Sequence, residues 1–176
     1  NKLSGEIPAE ISLLTALSSL QLYTNSLTGS IPSGVSELQQ LRELKFGGNK
    51  LSGEIPANVS LLTALSVLEL YTNSLTGSIP SGVSALQQLR YLYLHDNKLS
   101  GEIPAEISLL TALSSLQLYT NSLTGSIPSG VSELQQLREL KFGGNKLSGE
   151  IPANVSLLTA LSVLSLYTNS LTGSIP

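Results

Sequence analysis

Apolar residues follow a pattern that returns every 24 residues along the whole chain, and one period begins at Leu17. Leu20–Tyr23 alternate apolar and polar side chains, which is the period of a half-buried strand. Ser26–Ile31 alternate again and predict a second short strand. Apolar residues then recur at every third position from Val35 to Leu41, which predicts a 3₁₀ or short helical turn with one buried edge.

An asparagine and a proline mark every period: the asparagines stand at positions 1, 25, 49, 73, 97, 121, 145 and 169, and the prolines at 8, 32, 56, 80, 104, 128, 152 and 176. Proline lacks an amide donor and has a fixed φ, so it suits the end of a strand. A single period cannot bury its own leucines. The periods must therefore stack, which predicts a solenoid with a continuous core and parallel sheets.

The asparagine of each turn requires partners for its amide group if it is buried. Because it recurs once per turn, it can bond to the backbone of its own turn and of the adjacent one. We expect a structural ladder of Asn25, Asn49, Asn73, Asn97, Asn121 and Asn145.

The phrase Asn-x-Leu-x-Gly-x-Ile-Pro, preceded by Leu-x-x-Leu-x-Leu, resembles the plant-type leucine-rich repeat family over the entire chain. The resemblance implies an α/β repeat solenoid: a right-handed coil of 24-residue turns, with a parallel β-sheet on the concave side, a second short sheet, and 3₁₀ or short helices on the convex side. It also implies an extracellular or cell-surface setting. In this family the concave face commonly binds partners, as in receptor ectodomains and inhibitors.

The composition excludes several classes of function. The 176 residues are 41% hydrophobic and 12% charged, with a net charge of −3, which fits a single folded solenoid over residues 1–176. The sign of the charge disfavours nucleic acid, and no apolar run is long enough for a membrane span in this segment. No cysteine and no metal-ligand or phosphate-loop spacing occurs. We expect no cofactor, no metal and no enzyme, because His95 and Asp96 lack a nucleophile on the same patch.

A longer period of 48 residues lies above the first, and residues 1–80 recur as 97–176 with one change, Glu69 against Ser165. Such identity indicates recent duplication or deliberate construction. The chain also lacks distinct terminal caps, so we expect a segment of a longer array, uncapped at both ends. Uncapped ends could meet other copies end to end and form a fibre.

The concave face offers a candidate binding surface for a protein, peptide or glycan ligand. Tyrosines with polar tips are favoured at such surfaces, although tyrosine also simply suits a strand. The densest predicted patch comprises Tyr71, Arg90, Tyr91, Tyr93, His95, Tyr119 and Glu69.

Two N-glycosylation sequons begin at Asn58 and Asn154, between the Ile-Pro turn and the helical edge. We expect both positions to be exposed, and in an extracellular protein they could carry glycans.

The second strand adds a column of hydroxyls at the positions of Ser4 and Thr28 and their repeats. Regular hydroxyl rows can suggest ice binding, but Lys2 and Glu6 flank the first of them and return with the repeat.

Two main function classes follow from these patterns. The sequence favours a structural extracellular scaffold, with end-to-end assembly into a fibre as one form of it, because near-identical duplication gives a periodic surface. The alternative is a ligand-binding ectodomain segment that uses the concave face, and ice binding is a minor alternative.

Overall fold

A computed structural model of the chain describes residues 2–176, and Asn1 lies outside the described residues. The chain forms a solenoid in which each 24-residue turn contributes a strand to a main sheet, a strand of a second small sheet and a 3₁₀ helix. The coil predicted from the apolar period is thus confirmed.

The main sheet is parallel and its strands follow chain order. In residues 2–176 its seven strands are Ser19–Gln21, Glu43–Lys45, Val67–Glu69, Tyr91–Tyr93, Ser115–Gln117, Glu139–Lys141 and Val163–Ser165. Each residue pairs with the residue one period later, as Leu20 does with Leu44. Equivalent side chains of successive turns therefore form straight rows across this sheet.

The second sheet consists of four separate strand pairs within the described part of the chain. The pairs are Ser4–Glu6 with Ser26–Thr28, Ser52–Glu54 with Ser74–Thr76, Ser100–Glu102 with Ser122–Thr124, and Ser148–Glu150 with Ser170–Thr172. Here the register joins residues 22 apart, so Glu6 faces Thr28.

The convex side carries 3₁₀ helices. Across residues 2–176 they are Ala9–Leu13, Ser33–Glu37, Ala57–Leu61, Ser81–Ala85, Ala105–Leu109, Ser129–Glu133 and Ala153–Leu157. Each follows the Ile-Pro step, and the proline stands as its N-cap residue in extended backbone, as Pro32 does with φ of −65°. A fixed φ near this value is the one proline prefers.

The core runs along the whole coil between these three surfaces. The every-third-residue column of the second turn, from Val35 through Leu38 to Leu41, is fully buried, as are Leu44 and Phe46 of the adjoining strand segment. Apolar burial of this kind stabilises a solenoid only where neighbouring turns cover each other.

The strands are shorter than the alternation predicts, because the backbone leaves the extended region early. Leu20–Tyr23 predicted a strand to residue 23, but the strand ends at Gln21 and Thr24 has a φ of +55°. The second strand ends at Thr28, before Gly29 with a φ of +74°.

The asparagine side chains bond from turn to turn. Asn49 donates from Nδ2 to the carbonyl oxygen of Phe46 in its own turn and to that of Leu22 in the preceding turn, each at 3.0 Å. Its Oδ1 accepts a hydrogen bond from the Leu27 amide at 3.0 Å. The same set recurs at Asn73, Asn97, Asn121 and Asn145. Asn25 bonds to Leu22 and Leu3 in the same way.

Candidate functional site

The exposed side of the main sheet presents three rows of side chains, one residue per turn in each row. Leu20 and Leu22 point into the core, so the residues before, between and after them point outward. In the fourth strand the outward residues are Tyr91 and Tyr93, His95 continues the alternation two residues beyond the strand, and Arg90 stands directly before the strand.

Aromatic rings stack along the last of these rows. The rings of Tyr71 and His95 lie 4.9 Å apart between centroids with an angle of 9°, and those of His95 and Tyr119 lie 4.2 Å apart at 11°. Three successive turns therefore share one continuous stack. We name Tyr71, His95 and Tyr119 the ring stack.

Two further tyrosines adjoin the ring stack on the same strand as His95. Tyr93 meets Tyr91 edge to face at 6.1 Å and 65°, and it lies 6.3 Å from His95. Tyr91 is 39% exposed. Aromatic side chains held in this way present large apolar area with little conformational entropy to lose on binding.

The ring stack occurs once within residues 2–176, because glycine replaces the histidine elsewhere in the row. A Cβ atom at Gly47 would lie 2.5 Å from Cε1 of Tyr71, and one at Gly143 would lie 2.3 Å from Cε1 of Tyr167. Each of these tyrosine rings covers the glycine of the preceding turn. His95 instead inserts a third ring between Tyr71 and Tyr119.

The turn that carries His95 is the least regular part of the sequence. Repeat four (residues 73–96) differs from the otherwise identical repeats 25–48 and 121–144 at six positions. These are Ala85, Tyr91, Tyr93, Leu94, His95 and Asp96. Tyr91, Tyr93 and His95 face outward on the main sheet, and Asp96 follows them directly. The departures from periodicity thus concentrate on one patch of the concave surface.

His95 is held in a defined setting. Its Nδ1 lies 3.0 Å from Oδ2 of Asp96, and its side chain is only 12% exposed. Burial between the flanking rings lowers the pKa of His95 below its usual value, and the hydrogen bond with Asp96 opposes that shift. The imidazole is therefore held neutral at physiological pH, with its Nδ1 directed at a carboxylate.

Three tyrosines of the patch keep their protons. Burial is the main cause that raises the pKa of Tyr71, Tyr93 and Tyr119 above the usual value. Their hydroxyl groups are therefore neutral hydrogen-bond donors and acceptors at neutral pH.

Glu69 lies beside Tyr93 in the sheet register and beside Lys45 on its other side. Burial raises the pKa of its carboxyl group, and the charge of Lys45 partly offsets this. Glu69 is the one residue that distinguishes residues 1–80 from 97–176.

Hydrogen-bonded carboxylates flank the patch on both sides. Glu43 accepts hydrogen bonds from Ser19 Oγ at 3.0 Å and Gln21 Nε2 at 2.8 Å, and these bonds are the main causes that lower its pKa. The hydrogen bond from Lys141 is the first cause that lowers the pKa of Glu139. The charges of these carboxylates are already satisfied by neighbouring side chains.

The seven residues of the predicted patch all lie on the concave side or at its edge. Sequence reasoning left out Asp96 as a member, together with Arg42 and Arg138, which stand at the position of Arg90 in other turns. The 48-residue period could have revealed those two arginines.

No group of three or more His, Cys, Asp and Glu side chains that could hold a metal ion occurs in residues 2–176. Within the same range, no helix is both long and apolar enough to cross a membrane.

The sequons lie in a different setting from the one expected. Asn58 is half-buried, and its Nδ2 donates to the Ser33 carbonyl oxygen at 3.0 Å and to Ser36 Oγ at 2.9 Å. Asn154 makes the equivalent bonds to Ser129 and Ser132. The amide nitrogen that a glycan would join is engaged in the fold, and glycosylation of Asn58 and Asn154 stays a prediction.

The hydroxyl row of the second sheet is interrupted by carboxylates. Thr28 faces Glu6 across the strand pair, and the Glu6 side chain lies over Gly29, where a Cβ atom would be 2.8 Å from its Cγ. The same arrangement recurs at Glu54 and Glu102. The surface is therefore charged as well as hydroxylated.

Comparison with known proteins gives the family. The family model described as Leucine Rich Repeat matches residues 40–62, 88–110 and 136–158. No curated protein sequence matches significantly. The chain belongs to the leucine-rich repeat family.

Solved structures of plant receptors superpose closely on this leucine-rich-repeat coil. The LRR ectodomain of the receptor kinase GASSHO1/SCHENGEN3 from Arabidopsis thaliana, in complex with CASPARIAN STRIP INTEGRITY FACTOR 2, is 41% identical with a TM-score of 0.99 over all of this chain and 21% of that chain. The plant peptide hormone receptor RGFR1 in complex with RGF2 is 40% identical with a TM-score of 0.99, over all of this chain and 28% of that chain.

A plant ice-binding protein is also similar, at 27% identity and a TM-score of 0.73 over 99% of this chain and 71% of that chain. The repeat chain spans between about a fifth and a third of the receptor ectodomains that it matches. The GASSHO1/SCHENGEN3 match is to an LRR ectodomain, and no enzymatic family is indicated.

Proposed function

We propose that the chain is a non-catalytic recognition segment of an extracellular or cell-surface leucine-rich-repeat protein, which binds an extended peptide or a protein segment on its concave face. The ring stack with Tyr91 and Tyr93 forms the centre of the binding surface. The receptors that it resembles were solved with peptide or protein ligands, which supports the same class of partner here.

The observation that carries the proposal is that four of the six departures of repeat four, Tyr91, Tyr93, His95 and Asp96, lie together on the concave side, whereas Leu94 is buried and Ala85 is on the convex side. A purely structural coil would keep one sequence in every turn, as repeats 25–48 and 121–144 do. Repeat four instead replaces a Glu, a Lys and a Gly by Tyr91, Tyr93 and His95. Aromatic residues gain binding energy at interfaces, whereas a hydrogen-bonded Glu-Lys pair is already satisfied.

The chain provides its own matched variants for a test. In the first variant, which we name the levelled variant, five residues of repeat four are replaced by those of repeats 25–48 and 121–144, which we name the sister repeats. The substitutions are Tyr91→Glu, Tyr93→Lys, Leu94→Phe, His95→Gly and Asp96→Gly. Every introduced residue already occurs at the equivalent positions of two other turns, so the coil is expected to fold. The control is Ala85→Glu, the sixth departure, which lies on the convex side.

A displayed library of linear peptides is the probe. We expect the wild-type chain and the Ala85→Glu control to enrich the same peptides, and the levelled variant to lose them. Enrichment of no peptide by the wild-type chain would contradict the proposal, and so would equal binding of the enriched peptides to the levelled variant.

A further inference from the structure

All three arginines of the chain stand in one row. Arg42, Arg90 and Arg138 each precede a strand of the main sheet, and they are 48 residues apart. The six other basic residues are lysines. Arginine presents a planar fork of donors that binds carboxylates in pairs of hydrogen bonds, which lysine cannot do. We name these three residues the arginine row.

The arginine row borders two open depressions at the edge of the concave face. One depression, of about 410 Å³, is lined by Arg42 and Arg90 with Ser66 between them. The other, of about 420 Å³, is lined by Arg90 and Arg138 with Ser114 between them, and Tyr91 also lines it. Arg90 is therefore shared by both depressions, and an exposed aromatic ring adjoins the second.

The guanidinium groups carry uncompensated charge. Within residues 2–176 the ion pairs join Lys45 with Glu43, Lys141 with Glu139 and His95 with Asp96, and none involves an arginine. All three arginines are exposed. On a chain with a net charge of −3, the arginine row is thus a local strip of positive charge.

The spacing of the arginine row selects the conformation of an anionic partner. Neighbouring strands lie about 4.8 Å apart, so arginines on every second strand are about 10 Å apart. In a β-strand, three residues also span about 10 Å, but the side chain three positions further along the strand points to the opposite face. In a polyproline II helix, three residues span about 9.3 Å, and the side chain three positions further along the helix returns to the same face.

We propose that the arginine row, with Tyr91, binds an acidic, proline-rich peptide in the polyproline II conformation, with a carboxylate at every third residue. Successive carboxylates pair with Arg42, Arg90 and Arg138, and an intervening proline packs on the exposed ring of Tyr91, as prolines do in aromatic-lined grooves. This inference rests on the proposed recognition function and names a ligand class for one edge of its surface.

The test uses a synthetic peptide of repeated Glu-Pro-Pro triplets and measures its Kd by titration calorimetry. The test variant combines Arg42→Gln, Arg90→Gln and Arg138→Gln. The second sheet supplies a matched control with the same change of charge and the same 48-residue period: Lys50→Gln, Lys98→Gln and Lys146→Gln in one chain.

We expect the wild-type chain and the lysine control to bind the peptide. The Kd of the arginine variant should be higher by up to about 30-fold, because each exposed ion pair contributes a few-fold to the affinity. A peptide of the same composition with its glutamates grouped at one end is expected to bind more weakly than the triplet peptide. Added salt is expected to weaken binding.

Three results would overturn the inference. They are absence of binding by the wild-type chain, equal losses in the arginine and lysine variants, and binding of an acidic polysaccharide such as a polyuronate in place of the peptide. None of them would affect the library test of the ring stack, which depends on the levelled variant. Thermal melts of both triple variants show whether the coil is intact.

Discussion

His95 shows how one side chain can break a periodic surface. Its ring stands at the position that glycine occupies as Gly47 and Gly143 in other turns, and it joins Tyr71 and Tyr119 into a stack. The cost is a titratable group that is largely withdrawn from water.

The stability of the coil is expected to depend on pH through His95. Because burial lowers the folded-state pKa below the usual 6.5, the contribution of His95 is fully present above that value and is lost as the pH falls through the folded pKa. Urea unfolding should therefore give a lower free energy of unfolding at mildly acidic than at neutral pH. The His95→Gly variant, which carries the residue of the sister repeats, should show a smaller decrease. Equal decreases in both chains would contradict this role of His95.

The residue that follows the row of Tyr71, His95 and Tyr119 adopts a left-handed backbone in every complete turn. It is threonine in Thr72 and Thr120, with φ of 49° and 54°, and glycine in Gly48 and Gly144, with φ of 67° and 65°. A β-branched residue in this region is strained, whereas glycine and asparagine tolerate it.

Substitution at this position should change stability in opposite directions. Thr72→Asn is expected to raise the free energy of unfolding by about 0.5–1 kcal/mol, because asparagine adopts the left-handed region more readily. Gly48→Thr should lower it by about 1 kcal/mol for the converse reason. Denaturant unfolding of both variants checks the pair of signs, and a loss of stability in Thr72→Asn would show that the threonine is not strained.

At the scale of the elements, the asparagine bonds join each turn to the one before it. Asn97 donates to the carbonyl oxygens of Leu70 at 3.0 Å and Leu94 at 3.1 Å, and it accepts from the Leu75 amide at 3.0 Å. Leu70 and Leu75 belong to the preceding turn, so the side chain acts between neighbouring turns of the coil.

Removal of this side chain should be costly. Asn97→Ala leaves the Leu75 amide without its partner and removes one of the two asparagine donors to the carbonyl oxygens of Leu70 and Leu94, so we expect a loss of about 1–3 kcal/mol in the free energy of unfolding. Hydrogen exchange should become faster at the Leu75 amide in particular. Asn58→Ala is the control, since Asn58 is half-buried and makes two bonds outside this column, and it should cost less. Equal losses in the two variants would contradict the role assigned to the column.

At the scale of the whole molecule, end-to-end assembly of copies into a fibre is a separate prediction. A fibre requires contacts between copies that do not close on themselves. Sedimentation velocity should then show an average mass that rises with concentration above the 18.5 kDa of one chain. A constant mass of a single chain over the same range would exclude end-to-end assembly of this segment.

The sequence predicted the buried positions better than the strand ends and the exposed positions. The 24-residue period located the buried column of Val35, Leu38 and Leu41, because stacking turns leave only one place for a repeated apolar side chain. The alternation overran the strand ends at Gln21 and Thr28, since it marks which side chains face the core and not where the strand stops. The sequons were expected on an exposed edge, but Asn58 bonds to the preceding turn.

The amino-acid sequence by itself determined the family, the coil and the identity of the one irregular turn, because these depend on the period and on departures from it. Only the tertiary structure decided that His95 stacks between Tyr71 and Tyr119, that Glu6 lies over Gly29, and that the arginine row borders open depressions. Those facts depend on ring orientation, on sheet register and on the space between turns. The second sheet pairs residues 22 apart although the sequence repeats every 24, so the repeat alone cannot give its neighbours.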